Sequence, residues 1–569
     1  LKARTGELTP PGIKSLAALN MASEWLVFRL EAVTGTGAKG QLQTVQHLDP
    51  RSARCVFSVL EAKELMTKLP RLLQFGTSSV NYDWPALERE LRGFLSSKAV
   101  VAKRQELLSY DCDGLTMDRH MPKLAVLPET ADQVAQILAC CHRQGIPFVA
   151  RGSGTGLSGG ALVEQEALLV VTSRMRRILK IDLENQTITV EPGVINSWVS
   201  RAVVGDGFYY APDPSSQVVC SIGGNVAENS GGVHCLKYGV TSNHVLALDV
   251  VLPDGTPTRF GTSLCDAAEL DLRGVFIGSE GTLGIATAIT LRLLHAPDAV
   301  GVLLADFPSM QAAGEAVRLI TRAGVLPAGL EIMDQTCIKA VNEAFGEEEY
   351  PQEAGAVLLI ELDGQEPEVQ QAVTVTSALC REAGAGDIRE AWSEEDRARL
   401  WKGRKSAISA LGRQYPSYYL QDGVVPRTAL PRVLKAIDQL SAEHGLVVAN
   451  VFHAGDGNLH PLILYRASEP GVNERVKALG GAIMHLCLEV GGSISGEHGV
   501  GSDKRCYLDQ MFSANDLVSM QWVRLAFDPL GRANPGKIFP TPQSCGESMR
   551  RSVQLQAEGQ DLPEEAIVY

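Results

Sequence analysis

Between Ile146 and Thr172 a glycine-rich run joins two apolar strands with no helix between them, which restricts the folds open to this chain. Ile146-Pro147-Phe148-Val149-Ala150 reads as a short strand. It leads into Arg151-Gly152-Ser153-Gly154-Thr155-Gly156-Leu157-Ser158-Gly159-Gly160. Gly154, Gly156 and Gly159 match the spacing G-x-G-x-x-G. That fingerprint signals a dinucleotide-binding Rossmann unit only when a helix follows at once. Here Ala161 to Glu166 runs into a second apolar strand, Ala167 to Thr172. The pattern argues against a nicotinamide-type Rossmann unit. What remains is a loop of exposed backbone N–H groups that can cradle a pyrophosphate without a helix dipole.

Similar pieces follow. Pro212-Asp213-Pro214-Ser215-Ser216 is a rigid, hydroxyl-rich turn. Ser221 to Gly232 is a second glycine-rich loop containing Gly223, Gly224 and Asn225. Gly278-Ser279-Glu280-Gly281-Thr282-Leu283-Gly284-Ile285 is a third. Each alone is weak. Together they predict one long ligand lying across several backbones.

The chemistry-bearing residues come later. Val447 to Tyr465 reads as two apolar strands around Asp456-Gly457. Asp-Gly favours a two-residue hairpin turn, because both of its positions take positive φ. That register opposes His453 to His460, with Cβ atoms roughly 4.5–5.5 Å apart. Two imidazoles on one sheet face are a chelating pair, where a lone histidine is more often a satisfied polar side chain. Downstream, Glu497-His498 sits among Gly491, Gly492, Gly496, Gly499 and Gly501. Neighbours in an extended segment point to opposite sides. Glu497 is then free to complete a His-His-Glu set for zinc, manganese or iron while His498 faces a substrate. The bland alternative is a flexible polar turn.

In order, RGSGTGLSGG, PDPSS, SIGGNVAENSGG, GSEGTLGI, HAGDGNLH, SGEHGVG and NPGKIF span roughly residues 85–540. In these motifs the chain resembles the FAD-linked oxidases of the vanillyl-alcohol oxidase type, and within them the glycolate oxidase flavin subunit and D-lactate dehydrogenase group. The resemblance implies FAD held by Arg151, Gly152, Ser153, Gly154, Thr155, Gly156, Gly159, Pro212, Asp213, Ser216, Gly223, Gly224, Asn225, Glu280, Gly281 and Ile285. It implies a divalent metal on His453, His460 and Glu497, with His498 as base. Some members attach the flavin to a histidine of the first loop. Thr155 and no histidine occupies that stretch, so the FAD is expected to be non-covalent. By the same resemblance Arg404, after Trp401, is expected to grip a substrate carboxylate, to which a guanidinium fork is suited. On sequence alone Arg404 reads equally as part of a solvated helix face. Lys537 and Asn458 are further candidates for flavin or substrate contact.

The implied activity is oxidation of a small 2-hydroxy acid, glycolate or D-lactate, to the 2-oxo acid. D-2-hydroxyglutarate dehydrogenation and a non-catalytic flavin subunit are alternatives, and a metal-dependent hydrolase is a more distant one. Electrons pass to a separate acceptor or an iron–sulfur partner subunit, because no C-x-x-C or cluster-binding run occurs. The net charge of −14 disfavours nucleic acid. No 18-residue apolar stretch predicts a membrane span, and peripheral association stays open. Twelve scattered cysteines suggest a reducing, cytoplasmic setting.

The expected architecture is α+β. Residues 1–84 read as a poorly patterned, processed or artefactual extension. Residues 85–296 form a two-subdomain FAD-binding domain with a lead-in helix over 85–97. Residues 297–540 form an α+β cap with an antiparallel sheet, carrying the metal site and the C-terminal oxidase segment. Residues 541–569 read as a polar, mobile tail. Thr130-Ala131-Asp132-Gln133 predicts a capping box, and Gly145 the end of that helix. Further helices are expected at 309–323, 366–383, 394–415 and 515–527, and strands at 356–362 and 418–425.

Overall fold

The computed structural model describes residues 82–263, 270–345 and 350–540. The expected tail, and the extension up to residue 81, lie outside the described residues.

The first glycine loop does join two strands directly. Phe148–Arg151 and Leu168–Val171 pair in parallel, Phe148 beside Leu168 and Arg151 beside Val171. The connection a parallel pair requires is the glycine loop and its continuation, not a helix. These strands belong to a four-stranded sheet with Ala125–Val126 and Val100–Val101. Helix Ala131–Gln144 covers it. Val134, Ile137, Leu138 and Cys141 recur at helical spacing and are all buried against Phe148, Leu168 and Val170. Each large aliphatic side chain so buried contributes about 1.5–3 kcal/mol. Thr130 Oγ1 accepts from Gln133 N at 3.2 Å, as expected. Gln133 Oε1 instead accepts from Glu129 N, one residue before the cap, so the box is not reciprocal.

A second, five-stranded antiparallel sheet runs in the order Ile178–Asp182, Thr187–Val190, Ile285–Arg292, Val245–Val251, Pro257–Gly261. The turn around Asp254-Gly255 joins its last two strands.

The largest sheet has nine strands, and all its pairings are antiparallel. Ala299–Phe307 pairs with Ile388–Ala391 on one side and Ala356–Gly364 on the other. Gly329–Asp334 follows, then Val447–His453. Its strands alternate between two cores. Leu303, Ala305 and Phe307 face one, with helices Met310–Arg322, Glu366–Glu382 and Leu430–His444. Val302 and Leu304 face the other, with helices Gln335–Phe345 and Glu394–Gln414. Both faces are covered, so these strands read as apolar runs without a polar side.

Several elements differ from the sequence reading. The lead-in helix is Trp84–Leu91 and stops well short of residue 97. Ile222–Glu228, read as a loop, is a short helix after Ser221. The strand expected over 418–425 breaks into Ser417–Leu420 and Gly423–Val424, with Gln421 and Asp422 between. The end of the chain returns to the beginning. Phe148 N donates to Arg532 O at 2.9 Å, and Asn534 N donates to Phe148 O at 2.8 Å. Asn534 Nδ2 bridges Gly160 O and Glu280 O. Among the described residues no helix is long and apolar enough to cross a membrane.

Candidate active site

A cleft with about 1330 Å³ of empty space, its open mouth included, runs between the glycine loops and ends at Glu497 and His498. Arg151, Gly152, Ser153, Gly154, Thr155 and Gly156 line it. So do Ser216, Gly223, Gly224, Asn225, Glu280, Gly281 and Ile285. Gly154 has φ +72°, and a Cβ there would collide with the Arg151 guanidinium. Several buried polar atoms along the cleft have no protein partner: Arg151 Nη1, Ser221 Oγ, Ser279 Oγ and Glu228 Oε2. Arg151 Nη2 is held by Cys112 O at 2.8 Å, which leaves Nη1 as a spare cationic donor. Unpaired buried donors beside backbone N–H groups are what an anionic, hydroxyl-bearing ligand requires. Ser221, Ser279 and Glu228 were not singled out as ligand contacts, because single polar residues among glycines carry no periodic signal.

Four residues expected at this ligand are not among those lining the cleft. A Cβ on Gly159 would meet the Ser502 side chain. Pro212 O accepts from Asn196 Nδ2 at 3.1 Å. Asp213 Oδ2 sits 2.9 Å from His234 Nδ1. Lys537 is 1% exposed, and its Nζ donates to Leu162 O at 2.9 Å. None of the four lines the cleft. Glu280 lines the cleft, but its carboxylate accepts from Val500 N and Gly501 N, both at 2.7 Å. It ties the third glycine loop to the segment carrying Glu497 and His498.

At the cleft's end the predicted hairpin forms with a different register. His453 pairs with Asn458, and the loop is Ala454–Gly457. Of the two expected turn residues only Gly457 has positive φ, at +80°. The register is displaced by two residues from the expected one. Side chains alternate with period two, so this slip keeps His453 and His460 on one face. Their ring centroids are 5.0 Å apart. Glu497 Oε1 lies 3.2 Å from His453 Nε2 and 3.0 Å from His460 Nε2.

Each histidine's other nitrogen faces an acceptor. Glu331 Oε1 is 2.6 Å from His453 Nδ1, and Gln421 O is 3.4 Å from His460 Nδ1. Nδ1 therefore carries the proton in both rings when they are neutral, and both Nε2 lone pairs converge on one carboxylate oxygen. Acceptors so opposed need a cation between them, a proton or a metal. Without a metal, His453 is raised well above the usual histidine range. Its burial lowers it, but Glu331 and Glu497 outweigh that. Glu497 is correspondingly held far below the usual carboxylate range: burial raises it, and His453 and His460 more than reverse the effect.

Asp422 shapes the loop. It is fully buried and accepts from Ser495 Oγ, Gly496 N, His498 N and Lys504 Nζ, the last at 2.9 Å. Burial raises its carboxyl, yet Lys504, His498 and His460 pull it below the ordinary range. His498 stacks on His460 at 4.9 Å and 12°. Its Nδ1 lies 4.0 Å from Asp422 Oδ2 and its Nε2 lies 3.7 Å from Glu497 Oε1. Burial lowers His498 to about 4, so at neutral pH it holds a free lone pair.

Arg404 is buried, not on a solvated helix face. Its Nε and Nη2 reach Glu331 Oε2 at 2.8 and 2.5 Å. The carboxylate its fork grips is this chain's own, so a full fork is not free for a ligand. Asn458 is buried with Oδ1 unpartnered. Glu331, Asp422 and Lys504 were missed in the sequence. A lone charge inside an apolar strand, as in Gly329-Leu330-Glu331-Ile332, was the available signal.

Residues 122–261 match the FAD binding domain family and residues 296–538 the FAD linked oxidases, C-terminal domain family. The chain is 48% identical over 457 residues to the glycolate oxidase subunit GlcD of Escherichia coli, covering 80% of this chain and 91% of that protein. It is 40% identical over 433 residues to the Bacillus subtilis protein of the same name, covering 76% and 92%. Against a D-lactate dehydrogenase of Archaeoglobus fulgidus the identity is 32%, with 73% and 91% covered. Among solved structures it resembles 4-ethylphenol oxidase from Gulosibacter chungangensis (TM-score 0.70, 19% identity, 82% of this chain and 99% of that one). It also resembles p-cresol methylhydroxylase (TM-score 0.68, 16% identity, 80% and 96%).

Proposed function

This chain belongs to the FAD-linked oxidases, and on that premise we propose that it oxidises a small 2-hydroxy acid, glycolate or D-lactate, to the 2-oxo acid. Its fold is the two-domain FAD-binding fold of the vanillyl-alcohol oxidase type. The observation that carries the reading is the meeting of His453, His460 and Glu497, with His498 stacked on His460, beside the cleft that Glu497 and His498 line. A non-catalytic flavin subunit has no use for that convergence.

FAD would be held by the glycine loops that line the cleft, without a covalent bond, since the loop around Thr155 offers no histidine. When bound, it supplies the two-electron acceptor. His453, His460 and Glu497 would hold a divalent zinc, manganese or iron ion, which would supply a Lewis acid for the substrate hydroxyl.

The protein's own groups do the rest. His498 takes the hydroxyl proton at Nε2, the nitrogen nearer Glu497. Asp422 faces its Nδ1 and favours the proton there. Arg404 holds the substrate carboxylate through the guanidinium N–H groups that Glu331 leaves free, a narrower grip than a full fork. Asp422 and Glu280 fix the segment carrying Glu497 and His498. Electrons leave to a separate acceptor, in keeping with relatives named as oxidase subunits. None of the nine cysteines among the described residues is in a disulfide, which suits a cytoplasmic setting.

Anaerobic flavin reduction by glycolate, D-lactate, L-lactate and D-2-hydroxyglutarate tests the reading. Glycolate or D-lactate is expected to bleach the flavin fastest. A purified yellow protein that none of the four reduces overturns it.

A further inference from the structure

Glu331 is the buried charge for which the reaction so far has no use. It stands mid-strand in Gly329–Asp334, whose six residues are all buried, and it is 1% exposed. A carboxylate there carries a desolvation cost that must be met by partners.

The sheet register supplies those partners. Glu331 and His453 are directly opposed on adjacent antiparallel strands. Oε1 is thereby brought 2.6 Å from His453 Nδ1. Oε2 accepts from Arg404 Nε and Nη2 at 2.8 and 2.5 Å. Each oxygen thus faces a different donor. The two histidines are held unequally. His460 Nδ1 has only a backbone oxygen at 3.4 Å and Asp422 Oδ1 at 4.0 Å. His453 alone has a carboxylate in close contact at Nδ1.

We propose that Glu331 is a positioning residue. It fixes His453 as the Nδ1–H tautomer with Nε2 aimed at Glu497, and it couples this ligand to Arg404 on the far side of the carboxylate. The ionised group can only accept, so it excludes the Nε2–H tautomer, which has no lone pair for a cation. It also makes the ring a stronger donor to a metal. The inference rests on the proposed metal set, and the test separates the two.

Glu331→Gln keeps the shape and removes the ability to satisfy both neighbours. With its amide oxygen toward Arg404, its NH₂ meets His453 Nδ1 and selects the wrong tautomer. With the oxygen toward His453, the NH₂ opposes the guanidinium. Adding Arg404→Met removes that conflict and lets the amide oxygen accept from Nδ1.

The flavin-loaded wild type, Glu331→Gln, Arg404→Met, the double variant and His460→Ala are titrated with Zn²⁺ and Mn²⁺ against a chromogenic chelator. Flavin content is read from visible absorbance. Glu331→Gln is expected to bind metal about 10–100-fold more weakly with undiminished flavin. The double variant is expected to recover to within about threefold of Arg404→Met, a coupling that a purely structural role does not produce. Wild-type affinity in Glu331→Gln overturns the inference and leaves the ligand set standing. If Glu331→Gln fails to retain flavin, the double variant decides alone: recovery supports the inference, and weak binding there overturns it. No uptake by the wild type, or undiminished uptake by His460→Ala, overturns the ligand set and this inference with it.

Discussion

The flavin cleft and the histidine corner meet at Glu497 and His498, but they are built from opposite materials. The cleft is made of backbone: glycine loops between strands, with a few unpaired polar atoms such as Arg151 Nη1. The corner is made of side chains, each held by another. Glu331 holds His453, Asp422 holds the loop of His498, and Lys504 holds Asp422. A backbone site tolerates changes of side chain but not the arrival of one. A side-chain site fails one group at a time. Lesions in the two regions should therefore separate cleanly.

The largest expected effects test that separation. Gly154→Val forces a branched side chain into the Arg151 guanidinium from a positive-φ position. The purified variant should be colourless while still taking up metal. His453→Ala and His460→Ala should be yellow and metal-free by elemental analysis. A colourless His460→Ala protein, or a metal-free Gly154→Val protein, would break the comparison and make the two regions one cooperative site.

Next come effects on turnover. His498→Asn should keep both flavin and metal and lose about 10²–10⁴-fold in flavin reduction, the usual worth of a positioned base. Arg404→Lys should mainly raise KM, since a point charge replaces a planar group. Stopped-flow reduction at saturating substrate discriminates between them. A wild-type rate in His498→Asn removes His498 from the proton transfer.

The same contrast explains what the sequence disclosed. Loop motifs locate the cleft well, because a glycine run between two apolar strands has few other uses. They do not say which loop residues face it. Gly159 faces Ser502 and Lys537 faces Leu162 O, both decided by where distant segments pack. The corner was legible for a different reason. His453 and His460 stay on one face through a register slip of two, since alternation has period two. Their supports were hidden, because they come from other parts of the chain. Glu331 lies 122 residues from His453, and Asp422 lies 76 from His498. The helices Leu430–His444 and Val472–Glu489 went unannounced, since neither has a polar side-chain cap at its start.

Asp422 sharpens the picture of a corner held by its neighbours. Asp422→Asn keeps the volume but leaves Lys504, 2% exposed, without its counter-charge. Breaking a buried pair by removing one partner costs about 3–5 kcal/mol. Denaturant unfolding of the flavin-loaded protein should show a loss of that order. A loss of less than about 1 kcal/mol would place Lys504 in contact with water.

The smallest effect belongs to a residue that the sequence assigned to the cleft and the structure places elsewhere. Asp213 lies 2.9 Å from His234 Nδ1, and Glu361 lies 3.0 Å from His234 Nε2. Burial lowers His234, yet Asp213 and Glu361 raise it well above the usual histidine range. A raised histidine contributes stability that is full below its unfolded value of about 6.5 and is lost as pH climbs through the folded value. The wild type should thus lose stability on the alkaline side of neutrality. Asp213→Asn removes part of that contribution, about 1.5–3 kcal/mol at pH 6 for a charge-assisted hydrogen bond, and should flatten the alkaline slope. Its flavin affinity should stay within about twofold of wild type, because the Asp213 carboxylate is engaged with His234 and does not line the cleft. Unfolding curves from pH 6 to 10 beside a flavin titration of the apoprotein check both halves. A large fall in flavin affinity with an unchanged pH slope would return Asp213 to the cleft, and the cleft would then depend on a buried side-chain pair as the corner does.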